Sequence, residues 1–162
     1  MAFAATALPV ASGNSGWWDV ASDLHGKSPE MIGWPELVRT VADVYTSIPE
    51  AERDSTVLIT GDYGEAGAIE VYGSALGLPA AISGMNSDWL GGCGAPPPTS
   101  VIVLGFDSDK AASIFGTCEI AGRVKNAFGI LNEEPEDHPW ICLCREHARP
   151  WPEVWPRLKD FG

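Results

Sequence analysis

From Val57 to Ala68 the chain reads Val-Leu-Ile-Thr-Gly-Asp-Tyr-Gly-Glu-Ala-Gly-Ala, and few folds accommodate that order of residues. Val57 to Ile59 is a short apolar run without a polar break, as in a strand buried on both faces. Gly61 and Gly64 allow a tight turn. A helix is predicted over Glu65 to Tyr72, with Ala66, Ile69 and Tyr72 at 3–4 spacing. A strand that passes through a glycine turn into a helix N-terminus is the first half of a βαβ unit, and it aims backbone N–H groups at whatever lies above the strand end. The stretch is neither GxGxxG nor a phosphate loop with its lysine. The plainer reading is that the glycines only make the turn and Asp62 only caps the helix.

The rest of the chain repeats the alternation. Gly33-Trp34-Pro35 opens a helix, with Pro35 suited to the first turn and Leu37, Val38, Val41, Val44 and Tyr45 on its apolar face. Ala80 to Ser83 reads as a second short strand. A glycine-rich loop runs from Gly84 to Pro98, long enough to suggest function. Ser100 to Phe106 is a third strand, followed by a helix over Asp109 to Phe115. Thr117 to Val124 alternates as a strand does, and Trp140 to Cys144 is the last strand. Pro152 to Leu158 is a short helix, with Trp151, Trp155 and Leu158 on one stripe. Strands alternating with helices predict an α/β domain: a three-layer α/β/α sandwich with a mostly parallel, Rossmann-like sheet. Residues 33–162 form that single domain, and residues 1–32, poor in periodicity, form an arm with Trp17 and Trp18 as anchors.

Charge narrows the partners. The net charge of −12 over 162 residues argues against nucleic acid and anionic membrane surfaces. No run reaches the roughly 20 apolar residues that span a bilayer. The four cysteines, Cys93, Cys118, Cys142 and Cys144, include no CxxC pair, so a zinc knuckle is not indicated. Cys142 and Cys144 lie two apart in a strand and share a face. Disulfides to Cys118 or Cys93 are one use for them, and imply an oxidising compartment. A Cys-x-Cys-x-x-His metal set with His147 is the other. Asn132, Glu133 and Glu134 lack the alternation and glycine turn of a calcium loop and read as a solvated acidic connection.

If the strands are parallel neighbours, their C-terminal ends bring Gly61–Glu65 and Gly84–Gly94 to one edge. Asp62, Tyr63, Gly64, Glu65, Asn86, Ser87 and Trp89 are the candidate binding residues, with Asp88 beside them. Carboxylates and amides bond sugar hydroxyls, and an aromatic face stacks on a sugar ring. Glu65 sits near a helix N-terminus, where the dipole favours its charged form. That suits an acceptor of hydrogen bonds rather than a general acid. Asp62 and Glu65 are too close along one helix start to face each other across a cleft, which disfavours a paired-carboxylate hydrolase. No nucleophile elbow is present. An alternative is an independent α/β enzyme or nucleotide- or sugar-binding module using the Gly61–Gly64 turn. The ribose-binding acid of such a module belongs at the end of the second strand, where Ser83 and Gly84 stand instead.

Several short motifs occur in an order that resembles one family. They are Gly33-Trp34-Pro35-Glu36-Leu37-Val38, Thr60 to Ala68 with Tyr72-Gly73, Ser83-Gly84-Met85-Asn86-Ser87, Asn132-Glu133-Glu134, and Pro150-Trp151-Pro152-Glu153-Val154-Trp155-Pro156. Together they resemble the C-terminal soluble domain of bacterial polytopic membrane glycosyltransferases of family 39, the dolichyl-phosphate-mannose and aminoarabinose-transferase-like proteins. The likeness runs from about Trp34 to Phe161. It implies an exocytoplasmic domain at the cell membrane, with residues 1–32 as the linker from a membrane portion that carries the catalytic acids. On that reading the chain has no catalytic residue, metal or cofactor of its own. Its partners are the membrane-embedded portion of the same enzyme and a cell-envelope glycan or polyprenyl-phosphate sugar. The resemblance further implies a Cys118–Cys144 disulfide, with Cys93–Cys142 as a second. Met85 replaces a common histidine, and Gly91-Gly92-Cys93-Gly94 replaces a more tryptophan-rich stretch, so the loop's ligand has to be read from its own residues.

Overall fold

A computed structural model describes residues 33–93, 97–124, 138–147 and 149–160. The predicted arm over 1–32 and the acidic connection around Asn132 lie outside the described residues. Helix α1 spans Trp34–Ser47, with Pro35 in its first turn and Leu37, Val38, Val41, Ala42 and Val44 buried. A single turn, α2 (Glu50–Arg53), leads into β1 (Thr56–Thr60). Helix α3 (Tyr63–Tyr72) starts two residues earlier than its apolar spacing predicts, because Asp62 caps it. Then come β2 (Ala81–Ser83), β3 (Ser100–Leu104), α4 (Ser108–Phe115), β4 (Thr117–Arg123), β5 (Trp140–Arg145) and α5 (Trp151–Val154). A 3-10 turn, Trp155–Leu158, continues α5. Trp151, Trp155 and Leu158 are all buried, as their stripe predicts.

The five strands form one mixed sheet in the order β2-β1-β3-β5-β4. β1 lies between β2 and β3 and is parallel to both, with Val57 opposite Val101 and Leu58 opposite Ala81. β3 is central and buried along its whole length, as its uninterrupted apolar run predicts. The parallel pattern stops there. β5 runs antiparallel to both β3 and β4. It fills the place between β3 and β4, so the α4 crossover spans two strand positions.

Side chains on alternate strand positions go to opposite faces, and two apolar clusters result. Leu58, Ile102, Leu104, Ile141 and Leu143 join α1 and α3 in the first. Ile59, Val101, Val103, Cys142 and Cys144 join α4, α5 and the 3-10 turn in the second. Deep burial of branched residues on both faces contributes about 1.5–3 kcal/mol for each large side chain.

Cys118 lies directly opposite Cys144 across β4 and β5, and the two form a disulfide with Cα atoms 4.0 Å apart. The expected Cys93–Cys142 bridge does not form. Cys142 is paired in register with Val103 on one side and Ile120 on the other, so no cysteine stands across from it. Burial pushes the Cys142 thiol pKa up. The Cys-x-Cys-x-x-His set is not assembled either. Cys144 is in the disulfide, and the His147 ring nitrogens lie 3.2 Å from the Phe115 carbonyl and 2.7 Å from the Pro98 carbonyl.

Candidate functional site: a groove beside the first βα turn

The turn after β1 is closed from within. The Gly61 N–H donates to the Leu104 carbonyl at 2.9 Å and to Glu65 Oε2 at 3.2 Å. The Asp62 N–H donates to the same Glu65 oxygen at 3.2 Å. The Gly64 N–H donates to Asp62 Oδ1 at 2.5 Å. Asp62 and Glu65 thus make a reciprocal capping box, which satisfies helix-start amides that have no partner inside the helix. Glu65 is 1 % exposed. Its carboxylate occupies the position above the strand end where a ligand anion sits in a phosphate-binding turn.

Two glycines make room for that carboxylate. A Cβ on Gly61 would lie 2.0 Å from the Gly105 carbonyl oxygen, and a Cβ on Gly105 would lie 2.2 Å from Glu65 Oε2. The glycines after β1 and β3 therefore let two strand ends close around Glu65. They do not open the turn to a ligand.

The space lies to one side of the turn, along the flank of α3. A cavity of about 600 Å³ is lined by Tyr63, Ala66, Gly67 and Glu70 of α3, by Ala80 and Ala81 at β2, and by Asn86, Ser87 and Asp88 of the following loop. A smaller one of about 330 Å³ is lined by Ala81, Ile82, Ser83, Ser87, Asp88, Gly91 and Gly92. The loop is tied down by the end of the chain. The Asn86 N–H donates to the Asp160 carbonyl at 2.9 Å, and the Asp160 N–H donates to the Gly84 carbonyl at 3.0 Å. Met85 and Asp160 form a parallel bridge. Asn86 holds a left-handed backbone, φ 48°, which asparagine tolerates better than most residues. The Met85 N–H also donates to the Ser83 hydroxyl oxygen at 3.2 Å.

Of the residues singled out in the sequence, Tyr63, Asn86 and Ser87 meet in the larger cavity, with Asp88 alongside. Asp62, Gly64 and Glu65 belong to the cap below it. Trp89 turns away: its indole N–H donates to the Trp155 carbonyl at 3.4 Å, and the Lys159 ammonium lies 4.8 Å from its ring centroid. Ala66, Gly67, Glu70, Ala80 and Ala81 were not foreseen. Tyr63, Ala66, Gly67 and Glu70 stand at i, i+3, i+4 and i+7, on one helix face, but nothing in that spacing marks the face as the side of a groove.

The groove offers an aromatic face, a side-chain amide, a hydroxyl and two carboxylates, over a floor of alanine and glycine. None of the residues that line it is Lys, Arg or His. This chemistry accepts hydroxyl or ammonium donors and a flat apolar face, and it repels phosphate and carboxylate. Among the described residues no group of three His, Cys, Asp or Glu is placed to hold a metal ion. No helix among them is long and apolar enough to cross a membrane. Comparison of the chain with family models, with curated proteins and with solved structures finds no match in any of the three.

Proposed function

We propose that this chain is a soluble accessory domain of a bacterial polytopic membrane glycosyltransferase, exposed on the exocytoplasmic side. It is a three-layer, Rossmann-like sandwich whose role is recognition, either of an acceptor glycan or of the enzyme's own membrane portion. The observation that carries this reading is the groove between α3 and β2. It sets Tyr63 beside Asn86 and Ser87 in an open, acidic cavity, which suits hydroxyl-rich, phosphate-free ligands. The Cys118–Cys144 disulfide supports an oxidising compartment. The nucleotide-module alternative is disfavoured because the Gly61, Asp62 and Gly64 amides are bonded to Glu65 and Asp62.

The test is sugar transfer from a polyprenyl-phosphate donor, measured for this chain alone and for the same chain joined to the membrane portion that this reading places before it. The chain alone gives no transfer. The joined protein gives transfer, and Gly67→Phe in the groove lowers it. Transfer by the chain alone, or tight binding of a nucleotide to it, overturns the reading.

A further inference from the structure

The two cavities share Ala81, Ser87 and Asp88 and are parts of one groove. The two most exposed large apolar side chains among the described residues stand on the elements that wall it: Leu90 at 74 % and Val71 at 69 %. Leu90 lies between Asp88 and Gly91, which both line the groove. Val71 stands one turn beyond Gly67 on the same face of α3. Tyr63, at the other end of that face, lines the groove and is 52 % exposed. Single apolar side chains on a surface are ordinary, but several gathered around a cavity mark a docking site.

The lining narrows the occupant. Glu70, Asn86, Ser87 and Asp88 offer acceptors over a floor of alanine and glycine. A tryptophan matches this, with a flat apolar ring, one N–H donor and no acceptor. A carboxylate is repelled, since no lining residue is Lys, Arg or His. Two longer stretches of the chain lie outside the described residues. Residues 125–137 carry Glu133, Glu134, Glu136 and Asp137, and the groove disfavours them. Residues 1–18 include no Asp, Glu, Lys, Arg or His and end in Trp17-Trp18.

This arm is attached beside the groove. It joins the described chain at Gly33, the N-cap of α1. The Trp34 ring next to it packs on the first turn of α3: a Cβ on Gly64 would lie 3.4 Å from that ring, and Gly64 follows Tyr63 of the groove. The chain from Trp18 to Gly33 reaches up to about 50 Å when extended. A tether of this length sets an effective concentration of about a millimolar, so even a contact of millimolar strength is half occupied with no partner added.

We propose that the groove between α3 and β2 is the docking site of the chain's own N-terminal arm, which enters it through Trp17 and Trp18. The arm is then the occupant that any external ligand of the groove has to displace. The proposal goes beyond the accessory-domain reading and does not depend on it.

The experiment is NMR on the whole chain with carbon-13 labels on the alanine methyl groups. Nuclear Overhauser contacts are expected from the indole protons of Trp17 or Trp18 to the methyls of Ala66, Ala80 or Ala81. Trp17→Ala with Trp18→Ala should shift the amides of Tyr63, Gly67, Ala81 and Ser87 and leave Val101–Leu104 in place. Nothing lies within 4 Å of a Cβ at Gly67, so Gly67→Phe should fill the groove. It should move both indole N–H signals to their positions in a free peptide of residues Ser12–Val20. That peptide, at millimolar concentration, should bind the double-alanine chain at the same amides. It should bind the native chain at least about twofold more weakly, because the tethered arm competes.

Absence of the methyl contacts, unchanged groove amides in the double-alanine chain, or equal peptide binding by the two chains each overturn the proposal. Contacts that vanish on dilution overturn it too, and give the groove to the arm of a second copy. So does methyl α-mannoside that shifts the groove amides of the native chain without moving the indole signals, a result that leaves the accessory-domain reading in place. A docked arm in a joined protein that transfers no sugar does the reverse.

Discussion

Glu65 is an internal anion. In an open βα turn the free amides wait for a ligand; here a side chain three residues into the helix folds back and takes the Gly61 and Asp62 N–H groups. Removing it takes the acceptor from the Asp62 N–H, while the Gly61 N–H keeps the Leu104 carbonyl, and a buried donor without a partner costs about 1–3 kcal/mol. Glu65→Ala should therefore lower the unfolding free energy by about that amount or more in urea melts, since a cavity opens as well. A change below about 0.5 kcal/mol would show that water replaces the carboxylate at no cost. Gly105 tests the same contact from the other side. It has φ 72° and a Cβ position 2.2 Å from Glu65 Oε2, whereas Gly77 has φ 74° and nothing within 4 Å. Alanine at either position carries backbone strain of about 1 kcal/mol. Only at Gly105 does it also displace Glu65, so Gly105→Ala should melt well below Gly77→Ala. Equal melting points would mean that backbone strain is the whole effect. The Asp62-to-Glu65 spacing, a capping-box pattern, was legible in the sequence. The glycines drew the reading toward a ligand because a turn that closes on its own carboxylate uses the same residue types as one that closes on a phosphate.

Between elements, β4 and β5 show how far pattern reading goes. Val57–Thr60 and Val101–Leu104 each read as a strand that runs into a helix, with an apolar run buried on both faces, and the two lie side by side and parallel. Trp140–Cys144 is apolar in the same way, yet β5 lies antiparallel between β3 and β4. Alternation and hydrophobicity carry no direction, so the reversal could not be read from them. The disulfide joins the two strands where Cys118 faces Cys144. Thiol titration of unfolded, unreduced protein should give two groups, Cys93 and Cys142; four groups would remove the bridge from the account. Cys118→Ala with Cys144→Ala should cost about 2–5 kcal/mol. Cys142 adds a pH dependence with a definite sign. Burial raises its pKa in the folded state, so the folded chain resists forming the thiolate while the unfolded chain forms it freely. Its contribution is fully present below the unfolded value of about 8.5 and is lost as pH rises from there through the folded value. Urea midpoints measured from pH 7.5 to 10 should fall more steeply for the native chain than for Cys142→Ala; parallel curves would contradict the burial.

At the scale of the whole molecule, the groove depends on the end of the chain. Asn86, Ser87 and Asp88 sit on a loop whose backbone is bonded to Asp160, and the segment leading to Asp160 is anchored in the second apolar cluster by Trp151, Trp155 and Leu158. The tryptophan stripe was legible, because spacing on a short helix predicts burial. Its connection to the groove was not, since nothing local in Gly84-Met85-Asn86 states which distant segment lies beside it. Nor was the groove floor of Ala66, Gly67, Ala80 and Ala81, because small residues in a sequence look the same whether they line a cavity or merely fill a helix. Gly84 marks the junction between loop and chain end. A Cβ there would lie 1.9 Å from the Leu158 carbonyl oxygen and 2.8 Å from the Leu158 Cβ. Backbone cannot give way as a flexible side chain can, so Gly84→Ala must push the C-terminal segment off the loop or shift β2. Overpacking of this kind costs about 1–3 kcal/mol. The disturbance should stay local, because the three atoms nearest such a Cβ all belong to Leu158. In amide spectra of Gly84→Ala, signals from Gly84 to Gly92 and from Trp155 to Asp160 should move or broaden, while those of Val101–Leu104 and Leu37–Val44 keep their positions. Hydrogen exchange should quicken at Asn86 and Asp160, whose amides form the two bonds that join loop and chain end. Unchanged exchange at both amides would mean that the chain end does not hold the groove together.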